Sequence, residues 1–169
     1  MAPHCDTLDG PVVTACKTAL KTMDVNHVLP FVPKNAEEEL KKSFNKTIQA
    51  RKLGEDAAEV ADLWFFETAV RLHREGEGAP YTGLKPAGLD WGPVVPRAEK
   101  DIENGDPTET IEFLKGVLEK EMRKKFDKAM SLKNYGLEDV DAAREYTGSM
   151  LNFVLSAHHT YKYIISSEH

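Results

Sequence analysis

The sequence predicts an all-α fold, a helical bundle built from two related three-helix units. Three observations predict it. Apolar residues recur at the 3–4-residue spacing of a helix face, and no stretch sustains the alternation of a strand. Gly and Pro fall between the periodic stretches, where helices begin and end. The chain is also written twice, because Gly10-Pro11-Val12-Val13 returns as Gly92-Pro93-Val94-Val95, a shift of 82 residues.

Held without a gap, that shift brings Asp24 onto Asp106, Phe31 onto Phe113, Glu37 onto Glu119 and Glu39 onto Glu121. Lys42 then meets Lys124, Phe44 meets Phe126, Lys46 meets Lys128, Gly54 meets Gly136 and Ala61 meets Ala143. Conservative pairs fill the gaps, among them Leu40/Met122, Lys41/Arg123, Ile48/Met130 and Trp64/Tyr146. One register kept over roughly sixty residues reads as an internal duplication.

In the first copy, Val12, Cys16, Ala19 and Met23 form one apolar stripe, and Pro11 suits the first turn, where a missing N–H costs nothing. Pro30 and Pro33 break the short segment from His27 to Val32. Asn35 is placed to cap a second helix running to about Lys52, and Gly54 to stop it. A third helix is expected from Glu55 to Arg74, ended by Gly76 and Gly78. In the second copy the expected helices are Pro93–Asn104, Thr108–Asn134 and Leu137–Ser166. Asp106-Pro107 begins the middle one, and Tyr135-Gly136 ends it. The expectation is one domain over 1–169, with repeats at about 10–74 and 92–166 joined by the loop 75–91.

Composition narrows the class. The 169 residues are 41% hydrophobic and 30% charged, with 11 Gly and 9 Pro, as in an ordinary globular protein and unlike collagen, a low-complexity chain or a coiled-coil rod. Two cysteines exclude a dense disulfide scaffold and a four-thiolate zinc site. A net charge of −6 argues against nucleic acid as a partner, since phosphate neutralisation needs a basic surface. The N-terminus has neither the basic start nor the apolar stretch of a secretory signal, and no apolar run reaches the ~18 residues of a membrane span. The expectation is a cytoplasmic protein with reduced thiols and no membrane partner, in which the Asn45-Lys46-Thr47 sequon carries no glycan.

Three groups of residues could carry chemistry. His4-Cys5-Asp6 offers imidazole, thiolate and carboxylate, a set suited to a soft or borderline transition metal. His73 shares the apolar stripe of helix three with Leu63, Phe66 and Val70, while Glu67, Arg71 and Arg74 form the edge beside it. His158, next to His159 on the last helix, falls on a second apolar stripe with Leu151, Val154 and Ile165, and is expected to point inward. The inter-repeat loop adds Tyr81, Thr82 and Lys85. Cys16 reads as a core residue, and the Lys/Glu-rich stretch Glu37–Lys46 as a solvated helix face.

Three segments, HCDTLDGPVV, FFETAVRLHREGEGAPYTGLKPAG and the long final helix, resemble a family of small bacterial and archaeal proteins known only as a domain of unknown function. The resemblance covers nearly the whole chain and implies no activity. Members tend to carry a histidine where this chain has Leu155. A shorter likeness is to the N-terminal hook of the nickel superoxide dismutases, His-Cys-Asp-x-x-Cys-Gly. This chain matches it at His4, Cys5, Asp6 and Gly10, and has Asp9 where the hook has its second cysteine.

The leading expectation is therefore a metalloprotein. His4, Cys5, Glu67, His73 and His158 would hold one transition-metal ion (Zn, Ni, Fe or Cu) with an open position for redox chemistry or water activation. The alternative is a non-catalytic module that binds a small molecule or anion through Arg71, Arg74, Tyr81, Thr82 and Lys85. A third reading is a structural homo-oligomer. Whether the chain is an enzyme stays open at this point.

Overall fold

A computed structural model describes residues 3–166. The protein is all-α, and it divides into two compact units, Met1–Trp91 and Gly92–His169. Each contains three α-helices. The first has α1 (Pro11–Thr22), α2 (Glu37–Ala50) and α3 (Glu55–Gly76); the second has α4 (Val94–Asn104), α5 (Thr108–Ser131) and α6 (Val140–Ile165). No helix among the described residues is long and apolar enough to cross a membrane.

In the first unit a short 3-10 turn, Pro3–Asp6, precedes α1. Gly10 joins them where no other residue fits, because a Cβ there would run into the His4 carbonyl. Pro11 occupies the first turn of α1, as expected, and the helix ends at Met23 in the left-handed region, φ 61°. Met23 was expected on the apolar stripe. It is instead 59% exposed, because the chain turns away one residue after the helix closes.

Prolines 30 and 33 keep the next segment out of the α-helix, and it folds as 3-10 turns at Val25–His27, Leu29–Phe31 and Lys34–Ala36. Asn35 lies inside the last of these turns and caps nothing. The residue before α2 is Ala36, and three glutamates in the first turn complement the helix dipole in place of a side-chain cap. Gly54, at φ 135°, makes the corner between α2 and α3 that an L-residue would resist.

The core is formed by Val12, Val13, Cys16, Ala19 and Leu20 of α1, Leu40 and Phe44 of α2, and Phe65, Phe66, Ala69, Val70 and Leu72 of α3, with Val28 and Val32 from the turns. Each large side chain so buried stabilises the fold by about 1.5–3 kcal/mol. Cys16 is packing, as its stripe position implied. Thr47 is buried between α2 and α3 and donates its hydroxyl to the Ala61 carbonyl at 3.2 Å. Gly76 ends α3 against Pro33, whose ring leaves 2.7 Å for a Cβ.

In the second unit, buried Asp101 accepts the Thr110 amide at 2.8 Å and ties α4 to α5. Arg97 lies over the Phe113 ring, 4.3 Å from its centroid. Phe126 and Phe153 join α5 to α6 edge to face at 5.5 Å. The middle helix begins earlier here than in the first unit, because no proline follows Pro107 to interrupt it. His158 was expected to point inward, and it is exposed. Its stripe partners Leu151, Val154 and Ile165 are exposed too, so the seam of α6 that packs is the Phe153 side alone.

Candidate functional site

Two segments that stood out in the sequence meet within the first unit. The turn bearing His4, Cys5 and Asp6 pairs with the loop after α3 through a single parallel bridge between Thr7 and Lys85. The Lys85 amide donates to the Asp6 carbonyl at 2.8 Å, and the Leu8 amide donates to the Lys85 carbonyl at 3.0 Å. Asp9 accepts the Gly88 amide at 2.8 Å. That bond, followed by one from the Thr7 hydroxyl, holds the Asp9 carboxyl below its ordinary pKa. The Asp9 carboxylate thus anchors the loop.

Arg74 closes this clasp. Its Nε donates to Asp6 Oδ1 at 2.6 Å and its guanidinium reaches Glu77 Oε2 at 3.1 Å. Burial opposes the charge on Arg74, but Asp6 and Glu77 outweigh it and raise the pKa. Cys5 lies beside the same groups. Burial raises its thiol pKa, Arg74 pulls it down, and Glu77 and Asp6 push it up, with a net rise. This rise favours the thiol form of Cys5.

His73 Nδ1 lies 2.8 Å from the Phe31 carbonyl oxygen, a bond that needs the proton on Nδ1. Nε2 is left buried, 3.5 Å from Glu77 Oε1. A ring oriented by a backbone carbonyl is what a ligand histidine shows, yet the donors around it do not converge. Among the described residues no group of three or more His, Cys, Asp and Glu side chains is placed to hold a metal ion. The residues present do not fit the expected metal centre. Glu67 lines a groove described below, and His158 belongs to the second unit.

The first unit has a groove of about 580 Å³ between α2 and α3. From α2 it is lined by Glu39, Lys42, Ser43, Asn45 and Lys46, and from α3 by Trp64, Glu67, Thr68 and Arg71, with Tyr81 of the loop at its rim. Residues 64, 67, 68 and 71 follow the helical spacing of one face. Arg71 is occupied by Glu39 and by Glu75, 2.9 Å away. The Ser43 and Thr68 hydroxyls donate to their own helices, at the Leu40 and Trp64 carbonyls. Lys42, Lys46 and Glu67 have no hydrogen-bond or ion-pair partner among the described residues. The Tyr81 hydroxyl is buried with no partner in hydrogen-bonding geometry. Burial and then the Glu67 charge raise its pKa, while the Leu84 amide works the other way.

Of the residues expected to bind an anion, the fold brings Arg71 and Tyr81 to this groove and leaves three elsewhere. Arg74 is in the clasp, and Lys85 Nζ donates to Thr82 Oγ1 at 3.1 Å, holding the loop. Sequence reading passed over Lys42 and Lys46, taking their helix face as solvated, and gave Trp64 no role beyond its pairing with Tyr146. The signal that finds them is the repeat register, which keeps Glu39, Lys42 and Lys46 as Glu121, Lys124 and Lys128.

The fold and groove define a class: an all-α protein of two three-helix units, the first with a mixed polar and aromatic cleft. The chain belongs to the family of unknown function DUF6448, whose model matches residues 9–156. No curated protein and no solved structure matches it.

Proposed function

We propose that the first unit is a binding module for a small organic anion, seated in the α2–α3 groove. The observation that carries this reading is how the groove's charges are sorted. Arg71 is neutralised in place, whereas the ammonium groups of Lys42 and Lys46 have no hydrogen-bond or ion-pair partner among the described residues and are available to an incoming carboxylate or phosphate. Trp64, 43% exposed, offers an apolar face beside them, and the Tyr81 hydroxyl offers an unspent donor. A volume of about 580 Å³ suits a small-molecule ligand. The ligand class is an anionic group on a flat apolar body.

The test uses the full chain with Trp91 replaced by Phe, so that fluorescence reports Trp64. Phenylacetate should quench it saturably, and phenylacetamide should bind at least tenfold more weakly. The double variant Lys42→Gln, Lys46→Gln should lose that preference while keeping its melting temperature. Equal binding of acid and amide, or no saturable change with either, would overturn the reading.

This reading also takes the two units as copies of one ancestral unit. In support, the Lys41–Glu37 ion pair at 3.0 Å recurs at the repeat-matched positions as Arg123–Glu119 at 2.8 Å.

A further inference from the structure

We infer that the second unit holds its own anion site, in a groove between α5 and α6, and that this site takes a compact oxyanion such as a phosphate group. The inference borrows from the proposed function the pairing of the two units. The groove has a volume of about 220 Å³ and is lined by Glu121, Lys124, Lys125, Lys128, Ser149 and Asn152. Glu121, Lys124 and Lys128 are the repeat partners of Glu39, Lys42 and Lys46, and all three pairs line a groove in their own unit.

That retention is selective. On the same helix the exposed positions Glu38 and Gln49, which line neither groove, have become Lys120 and Ser131, and Asn45, which lines the first groove, has become Asp127. A merely solvated face has no reason to keep one acid and two lysines while its neighbours change charge or identity. The other exposed pairs kept on this helix, Glu37/Glu119 and Lys41/Arg123, form an ion pair in each unit, which supplies their reason.

The differences between the grooves set the ligand. Ser43 is replaced by Lys125 and Arg71 by Phe153, so each groove has three cations, while Glu67 is replaced by Ser149, so the second groove loses a carboxylate. Lys125 Nζ is held by Asn152 Oδ1 at 2.9 Å, which fixes its position across the two helices. Lys124 and Lys128 have no hydrogen-bond or ion-pair partner among the described residues. The aromatic platform is gone: Trp64 corresponds to Tyr146, which packs against Tyr135 at 5.6 Å and does not line the groove. Three lysines with a hydroxyl and an amide in a small cleft suit concentrated charge without an apolar body.

The experiment is an amide-resolved NMR titration of the full chain with inorganic phosphate, phenyl phosphate and, as a control for screening, chloride at equal ionic strength. Phosphate should move the Ser149 and Asn152 amides saturably, and chloride should not. The variant Lys124→Gln, Lys128→Gln should bind phosphate at least tenfold more weakly, Lys42→Gln, Lys46→Gln should leave this response unchanged, and Glu121→Gln should strengthen it a few-fold. Phosphate shifts that fail to saturate, or that survive loss of Lys124 and Lys128, would overturn the site. Tenfold tighter binding of phenyl phosphate than of inorganic phosphate at Ser149 would overturn the compact-oxyanion class. Failure of phenylacetate at Trp64 with phosphate still bound at Ser149 would sink the first groove alone, and the reverse result would sink the second.

Discussion

The Asp6 carboxylate and the Arg74 guanidinium, 68 residues apart in the chain, meet at 2.6 Å with each side chain only 6% exposed. This pair fastens the N-terminal turn to the end of α3. Asp6→Asn leaves the buried Arg74 its contact with Glu77 but removes its shortest ion pair, and should destabilise the protein by about 1.5–3 kcal/mol. Replacing both, as Asp6→Leu with Arg74→Met, should recover much of that loss. Urea unfolding followed by tryptophan fluorescence checks it; equal losses in the single and double variants would show that the pair is not what holds the turn.

Two glycines should respond in opposite directions. Gly10→Ala drives a Cβ into the His4 carbonyl and should destabilise by about 1–3 kcal/mol, as overpacking does. Gly148 sits inside α6 with open space where a Cβ would go, so Gly148→Ala should stabilise by about 0.5–1 kcal/mol. Thermal unfolding of the two variants decides between space and mere composition.

The clasp should loosen in acid. Asp9 has its pKa lowered, first by the Gly88 amide, so its contribution is complete above the unfolded value of about 3.9 and is lost as pH falls through the lower folded value. The Gly88 amide resonance should titrate below about pH 3.9. In Asp9→Asn that titration should vanish.

The thiols should be slow to react. Burial raises the pKa of Cys16 strongly and that of Cys5 less. Pulse alkylation read by mass spectrometry should label Cys5 more slowly than an unstructured cysteine, and Cys16 only after unfolding. Raised folded pKa values mean that the native state keeps protons the unfolded chain gives up. Stability should therefore decline as pH rises above about 8.5, the free thiol value. Cys16→Ser would leave a polar hydroxyl in the core; Cys16→Ala is the cleaner variant, and should reduce the alkaline decline to the smaller part that Cys5 supplies.

Helix positions were legible in the sequence to within a few residues, with Pro11, Pro30, Pro33, Gly54 and Gly76 marking them. Asn35 was misleading, since a good capping residue caps only if the helix begins beside it, and Pro33 set a 3-10 turn there instead. His158 was misleading for another reason: periodicity gives two apolar stripes on α6, and only packing chooses between them. Half of the candidate anion groove was visible in Arg71 and Tyr81. Lys42 and Lys46 were hidden because a lysine on a helix looks the same whether it faces open water or a cleft.

By itself the sequence determined the all-α class and the order of the helices, because caps, proline breaks and 3.6-residue periodicity act within a turn or two of chain. Tertiary structure alone decided that Arg74 pairs with Asp6 and Glu77, that burial raises the Cys5 thiol pKa, and that Lys42, Lys46 and Trp64 share a cleft. Those outcomes depend on burial and on which charges meet across long stretches of chain, and neither is written in local spacing.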